Sequence, residues 1–236
     1  MQAVILAGGK GTRLSPFTKV FPKPLVPLGD KPILDTILRQ LKFFGFTRIT
    51  LAVGHMADMF HTYARNGEQY GIEISYCVED EPLGTVGPLK QMIDLEDRFL
   101  VMNGDLITNL DYREIIDFHK SQSAMATIGT FQKALKIELG IIHGDEDSHM
   151  IVDYVEKPVF NFKVSMGIYV FEKAILNYIE PNKYLDFPDL VKRLLADGQP
   201  VVSYPFSGYW LDIGNHSDYE TAVEEYESIK ENLHIG

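Results

Sequence analysis

Cysteine is almost absent: Cys77 is the one cysteine in 236 residues, which excludes an intramolecular disulfide and a cysteine-based zinc site. Long apolar runs are missing too. No stretch nears the roughly 18 apolar residues that would cross a bilayer. The first apolar run, Ala3–Ala7, meets two glycines at once and has no basic flank before it, unlike a secretory leader. Positive charge is scarce, with 22 Lys and Arg against 33 Asp and Glu. The formal net charge of −11 argues against nucleic acid or an anionic membrane as the main partner. The seven histidines have no spacing suited to catalysis or metal ligation and read as structural or surface residues. No internal repeat or low-complexity linker divides the chain. What remains is an ordinary globular balance, 45% hydrophobic and 23% charged, able to bury a sizeable core. These absences lead to the expectation of a cytoplasmic protein.

Strand and helix patterns alternate from the start. Ala3–Ala7 reads as a buried strand, and Ile33, Leu34, Ile37, Leu38, Leu41 and Phe44 recur at helical spacing before the stop signal Gly45. Strands are predicted at 48–53, 72–78 and 99–102, with helices at 58–65, 85–93 and 111–121 between or after them. The second half is richer in strands, at 124–131, 140–143, 151–155, 164–171 and 201–204, and adds helices at 173–179, 187–196 and 217–231. This alternation predicts one α/β domain over residues 1–236, with a Rossmann-like three-layer α/β/α fold and a mainly parallel sheet of mixed direction in its second half.

The first strand runs into Gly8-Gly9-Lys10-Gly11-Thr12-Arg13-Leu14. Ligands bind beyond the carboxyl ends of strands in such sheets, and glycine lets backbone N–H groups approach an anion closely. Residues 1–31 hold five basic residues and a single acidic one, on a chain that is otherwise acidic, which suggests a site for a small polyanion. Two familiar phosphate loops are excluded: Lys10 is followed by Gly11 rather than Ser or Thr, and Leu14 stands where a dinucleotide fingerprint needs its third glycine. About ten residues later, Pro22-Lys23-Pro24 holds a lysine between two ring-stiffened positions. Arg13 offers a planar fork to two phosphate oxygens, and Lys23 a point charge.

Leu6–Leu14 followed by Pro22-Lys23-Pro24 resembles the signature of the sugar-1-phosphate nucleotidyltransferases, and further matches run to the C-terminus. The resemblance implies that residues 1–110 mainly bind nucleotide and 111–236 mainly bind sugar phosphate. It leads one to expect no β-helix or cupin domain after residue 236, though some relatives carry one. It places the nucleotide at Leu6, Gly8, Gly9, Gly11, Thr12, Arg13, Lys23, Glu79, Gly84 and Thr85, with the base near Glu79 and the run Pro82–Leu89. Asp105 ends a predicted buried strand and Asp212 lies just before the last helix. A carboxylate in such a place is suited to Mg²⁺, which favours one or two carboxylates together with phosphate oxygens. Both segments resemble the family's metal motifs, so Asp105 and Asp212 are expected to converge on Mg²⁺ and to be catalytic with Arg13 and Lys23.

By the same resemblance, Asn103, Gly140, Glu156, Lys157, Ser165 and Gly167 are the sugar-phosphate residues, Lys157 on the phosphate and Glu156 on the hydroxyls. Ser165-Met166-Gly167 departs from the Asn-Ala-Gly more usual there. A carboxylate at Glu79 matches the N1–H and amino group of guanine, which favours GTP, and the closest likeness is to the mannose-1-phosphate guanylyltransferase branch. The implied partners are an NTP and a sugar 1-phosphate of mannose or heptose type. UTP, dTTP or CTP with another sugar is the alternative, and a non-catalytic nucleotide-binding subunit is the rival of another class. A homo-oligomer is compatible with the sequence.

Overall fold

The computed structural model describes residues 1–9 and 11–235, so the reading of Lys10 as part of the cationic loop lies outside the described residues. Seven strands form the central sheet: β1 (Gln2–Leu6), β2 (Arg48–Val53), β3 (Glu73–Val78), β4 (Arg98–Asn103), β5 (Ala126–Lys136), β6 (Val159–Glu172) and β7 (Val201–Phe206). Their spatial order is β3-β2-β1-β4-β6-β5-β7. β6 runs antiparallel to both neighbours, and every other pair in the sheet is parallel. The mainly parallel, mixed sheet expected from the sequence is therefore present.

Period-two alternation sorts the side chains to two faces. Ala3 and Ile5 join a core built with α1 (Ile33–Phe43), α2 (Ala57–Ala64), α3 (Tyr112–Ser121) and α5 (His216–Ile229). Val4, Ala52, Phe99, Val101 and Phe171 join a second core under α4 (Phe187–Ala196) and two 3-10 turns, Gly87–Gln91 and Lys173–Tyr178. Two cores on opposite faces of one sheet make three layers. The apolar stripe of α1 explains its place: Ile33, Leu34, Ile37, Leu38 and Leu41 are all buried.

The structure differs from the sequence expectation at several points. Segments 85–93 and 173–179 form short 3-10 turns rather than α-helices, because Pro88 stands at the start of the first and both are held by packing on the second core. β5 and β6 extend several residues beyond the sheet as a paired ribbon, which period-two patterning misses where both faces meet water. A three-residue ladder, Leu106–Thr108 against Trp210–Asp212, carries no sequence signal because its strands are short and about a hundred residues apart.

Candidate active site

β1 is followed in the chain by β2 on one side, and β4 takes the other side, so the sheet reverses direction of growth between β1 and β4. Crevices outside strand ends at such a switch point are where open α/β sheets bind ligands. Leu6 at the end of β1 pairs with Asn103 at the end of β4, and the Gly104 amide donates to the Leu6 carbonyl at 2.9 Å. A cleft of about 810 Å³ opens here, lined by the glycine loop, Arg13, Lys23, Gly54, His55, Glu79, Gly84, Thr85, Asn103 and Asp105.

The loop is shaped by local contacts. Gly11 takes φ +59°, and a Cβ there would come within 2.9 Å of Thr18, whose hydroxyl donates to the Gly11 carbonyl at 2.8 Å. Gly8 lies against the Glu79 side chain: a Cβ would meet Oε1 at 2.7 Å, so a larger residue there would push the carboxylate aside. Glu79 accepts from the Leu83 amide through Oε2 at 2.9 Å, and burial pushes its carboxyl above the usual range while that hydrogen bond opposes the shift. One of the two oxygens expected to read a base is thus already engaged by the backbone. Thr85 is fixed by the start of α4, its amide donating to Asp186 at 3.0 Å and its hydroxyl accepting from the Phe187 amide at 2.7 Å. Leu6, Gly8, Gly9, Gly11, Arg13, Lys23, Glu79, Gly84 and Thr85 all line the cleft, and Thr12 is exposed beside it.

The ladder that joins residues 106–108 to 210–212 brings the two acidic residues together. Asp212 pairs with Leu106, the neighbour of Asp105, and the Ile213 amide donates to the Asp105 carbonyl at 3.1 Å. Asp212 still meets solvent, yet the surrounding protein and then the Asp105 charge push its carboxyl above the usual range, with Lys23 and Arg13 pulling against them. The ammonium of Lys23, a residue that is 9% exposed, ion-pairs with Oδ2 of Asp105. Oδ1 of Asp105 is buried and has no hydrogen-bond partner among the described residues. An orphaned carboxylate oxygen beside a second, strained carboxylate fits a hard divalent cation completed by phosphate oxygens and water. Among the described residues there is no group of three or more metal-ligating side chains that would hold such an ion by itself.

Asn103 belongs to the same place. Gly167 sits in an irregularity of β6 between Ser165 and Tyr169, and a Cβ there would come within 2.6 Å of the Asn103 amide nitrogen. The Gly167 amide donates to Ser165 Oγ at 3.3 Å, and the Trp210 indole donates to the Met166 carbonyl at 3.0 Å. Asn103 lines the cleft two residues before Asp105, with Gly167 packed against it and Ser165 beside Gly167; Ser165 and Gly167 are not among the residues that line the cleft. Gly140, Glu156 and Lys157 do not line the cleft. They lie on a separate antiparallel ladder, Ile141–Gly144 with Ile151–Val155, and its flanks; Tyr154 covers Gly140 and donates to Glu156 at 3.0 Å. The side chains of Glu156 and Lys157 are mostly exposed, 3.9 Å apart.

Residues that sequence reasoning missed include Tyr184 and Asp186, which line the cleft opposite the glycine loop and are hydrogen-bonded to each other. A sequence marks Asp186 only as a candidate cap before Phe187-Pro188 and gives no sign that it faces Thr85. His216 is a second omission: its Nε2 lies 2.5 Å from the Ser15 carbonyl and its ring packs on Phe17, tying the last helix to the phosphate loop. No helix among the described residues is long and apolar enough to cross a membrane.

Residues 2–229 match the family model described as nucleotidyl transferase. A mannose-1-phosphate guanyltransferase of Candida albicans is 34% identical over 93% of this chain and 62% of its own length. A UTP–glucose-1-phosphate uridylyltransferase of a Synechocystis species is 32% identical over 94% of this chain and 62% of its own. The chain thus spans about 62% of the length of these curated relatives. The structure of HddC from Yersinia pseudotuberculosis, complexed with GMP-PN, superposes with a TM-score of 0.71 at 27% identity, covering 95% of this chain and 99% of that one.

Proposed function

From the premise that the chain belongs to the nucleotidyl transferase family, we propose that it is a cytoplasmic, Mg²⁺-dependent enzyme that joins an NTP to a sugar 1-phosphate and releases pyrophosphate. The observation that carries this reading is the meeting of Asp105 and Asp212 at the switch point, beneath a glycine loop and beside Arg13 and Lys23.

The nucleophile is a phosphate oxygen of the sugar 1-phosphate, attacking the α-phosphorus in line while pyrophosphate leaves opposite. The second pKa of a phosphate monoester is about 6, so this oxygen is already ionised at neutral pH and the chain need not supply a general base. Its task is positioning and charge neutralisation. The amides of Gly8, Gly9, Gly11 and Thr12 and the Arg13 guanidinium hold the triphosphate and its leaving pyrophosphate. Lys23 exchanges its partner Asp105 for a phosphate oxygen when substrate arrives. Asp105, through Oδ1, and Asp212 would hold Mg²⁺, which would supply charge neutralisation for the phosphates. Asn103, Ser165 and Gly167 contact the sugar, and Lys157 with Glu156 and Gly140 reaches it from the ribbon.

GTP is the favoured nucleotide and a mannose- or heptose-type 1-phosphate the favoured acceptor. Glu79 beside Gly8, the guanyltransferase relatives and the GMP-PN-bound neighbour support this choice. The uridylyltransferase relative keeps UTP with a glucose-type acceptor as the second reading. A grid of the common NTPs against mannose-, glucose-, heptose- and amino-sugar 1-phosphates, scored by pyrophosphate release with Mg²⁺ and with EDTA, tests both. Turnover that survives EDTA contradicts the metal, and nucleotide binding without turnover in every cell of the grid points to a non-catalytic subunit instead.

A further inference from the structure

Arg13 and Asp212 come from opposite ends of the chain, yet a closed circuit of short contacts joins them. After Asp212 the chain enters α5 through a rigid corner. The amides of Gly214 and Asn215 both donate to Asp218, at 3.0 and 3.1 Å, and the Asn215 side chain accepts from the Asp218 amide at 3.2 Å. The corner lies against Arg13, since a Cβ on Gly214 would stand 3.8 Å from a guanidinium nitrogen. His216, the first residue of α5, reaches back to the loop: its Nε2 is 2.5 Å from the carbonyl of Ser15, two residues after Arg13. A carbonyl only accepts, so Nε2 carries the proton and donates. The circuit therefore runs from Asp212 through Gly214 and His216 to Ser15 and Arg13, and closes on Gly214.

The same helix face follows the loop further. Phe17 packs against the His216 and Tyr219 rings, with centroids 5.9 and 5.4 Å away, and the Tyr219 hydroxyl donates to the Pro27 carbonyl at 2.7 Å. One turn of α5 thus pins both ends of the segment that carries Lys23. Arg13 has no such hold of its own. It takes part in none of the ion pairs among the described residues, so its direction is set by the backbone of the 3-10 turn Thr12–Leu14. That turn rests on the Leu14 amide donating to Gly11 at 2.9 Å and the Ser15 amide donating to Thr12 at 3.3 Å. A single 3-10 turn holds weakly by itself.

We infer that His216 is a positioning residue: its hydrogen bond to Ser15 fixes the Arg13 guanidinium against the turn that follows Asp212, and so sets the cationic loop relative to that carboxylate. The inference rests on the nucleotidyltransferase reading of this site. His216 meets no substrate and acts through Arg13. The helix does not need it as a cap, because Asn215 and Asp218 complete the capping box without it. What the bond removes is freedom of the loop before a polyanion arrives, and a loop ordered in advance need not be ordered at each turnover.

Two variants separate the hydrogen bond from the packing. His216→Phe keeps a ring on Phe17 and deletes the donor, whereas His216→Gln sets an amide N–H where Nε2 stood. In pyrophosphate-release assays of the full chain, His216→Phe should lower kcat about tenfold and leave KM for the sugar 1-phosphate within about threefold. His216→Gln should recover most of the loss. Because His216 acts through Arg13, adding His216→Phe to Arg13→Ala should cost less than about threefold more. Hydrogen exchange reads the same tie without turnover: the Leu14 and Ser15 amides should exchange about tenfold faster in His216→Phe and at the parental rate in His216→Gln. An unchanged kcat in His216→Phe, losses that multiply in the double variant, or exchange that does not respond overturns the proposal. A parent chain without turnover on any substrate pair counts against the transferase reading instead, and the exchange rates then decide the role of His216.

Discussion

Asp105 and Lys157 belong to one expected site but are held in opposite ways. Asp105 follows a strand whose residues Phe99 to Met102 are buried to within 1%. Its carbonyl and the following residue are tied to the segment Trp210–Ile213, and one carboxylate oxygen to Lys23. Lys157 stands at φ +46° on a ribbon that joins neither core among the described residues, and the one ion pair its ammonium makes among them is with Glu156 at 3.9 Å. The proposed nucleotide end of the site is therefore preorganised by the sheet, whereas Gly140, Glu156 and Lys157 of the proposed sugar-phosphate end rest on local ribbon contacts. Preorganised charge lowers the barrier itself, while a side chain ordered only by its ligand contributes mainly to binding.

That contrast can be broken by experiment. The largest effect is expected from Asp105→Asn, which removes an acceptor for the metal while keeping the shape. Turnover in the presence of Mg²⁺ should fall on the order of 10³-fold, and full activity in a folded variant would remove Asp105 from the scheme. Arg13→Ala should lower kcat on the order of 10²-fold, the scale for one lost preorganised contact. A change confined to KM would place Arg13 with the binding residues instead. Lys157→Ala should raise KM for the sugar 1-phosphate about tenfold, leaving kcat within about threefold and stability within about 0.5 kcal/mol, as for other surface changes. If kcat and melting temperature fall together, the ribbon is as preorganised as the sheet.

The smallest effect concerns stability and pH. His119 is fully buried, with Thr127 and Glu172 on its two ring nitrogens, and burial lowers its pKa although Glu172 opposes the shift. Below about pH 6.5 the unfolded chain takes up a proton that the folded chain refuses, so this residue makes stability fall as pH falls. His119→Gln should flatten the pH dependence of unfolding between pH 7 and 5 by less than about 2 kcal/mol. An unchanged slope in urea titrations would mean the imidazole is charged in the folded state.

The glycine loop and the lysine between prolines were legible in advance because strand, loop and prolines are contiguous in the chain, whereas the nucleotide proposed for them came from the family resemblance. The four-strand parallel half follows from apolar runs punctuated by glycine. The ribbon was legible only as strands: period-two patterning says nothing about whether a strand stays inside its sheet, and β5 and β6 leave theirs at Gln132 and Val164 while their pairing continues. Asp186 on Thr85 and His216 on Ser15 were invisible because each joins segments more than a hundred residues apart through a few side-chain contacts.

Taken alone, the order of residues determined the layered α/β architecture and the cationic loop at its first strand end, because backbone preference and burial periodicity are local properties. Only the folded chain decided that Asp212 comes to Asp105, since a ladder of three residues forms once the sheet has already placed its two strands side by side. It also decided that Glu156 and Lys157 stand outside the cleft, because where a ribbon points depends on what it packs against, and this one joins neither core among the described residues.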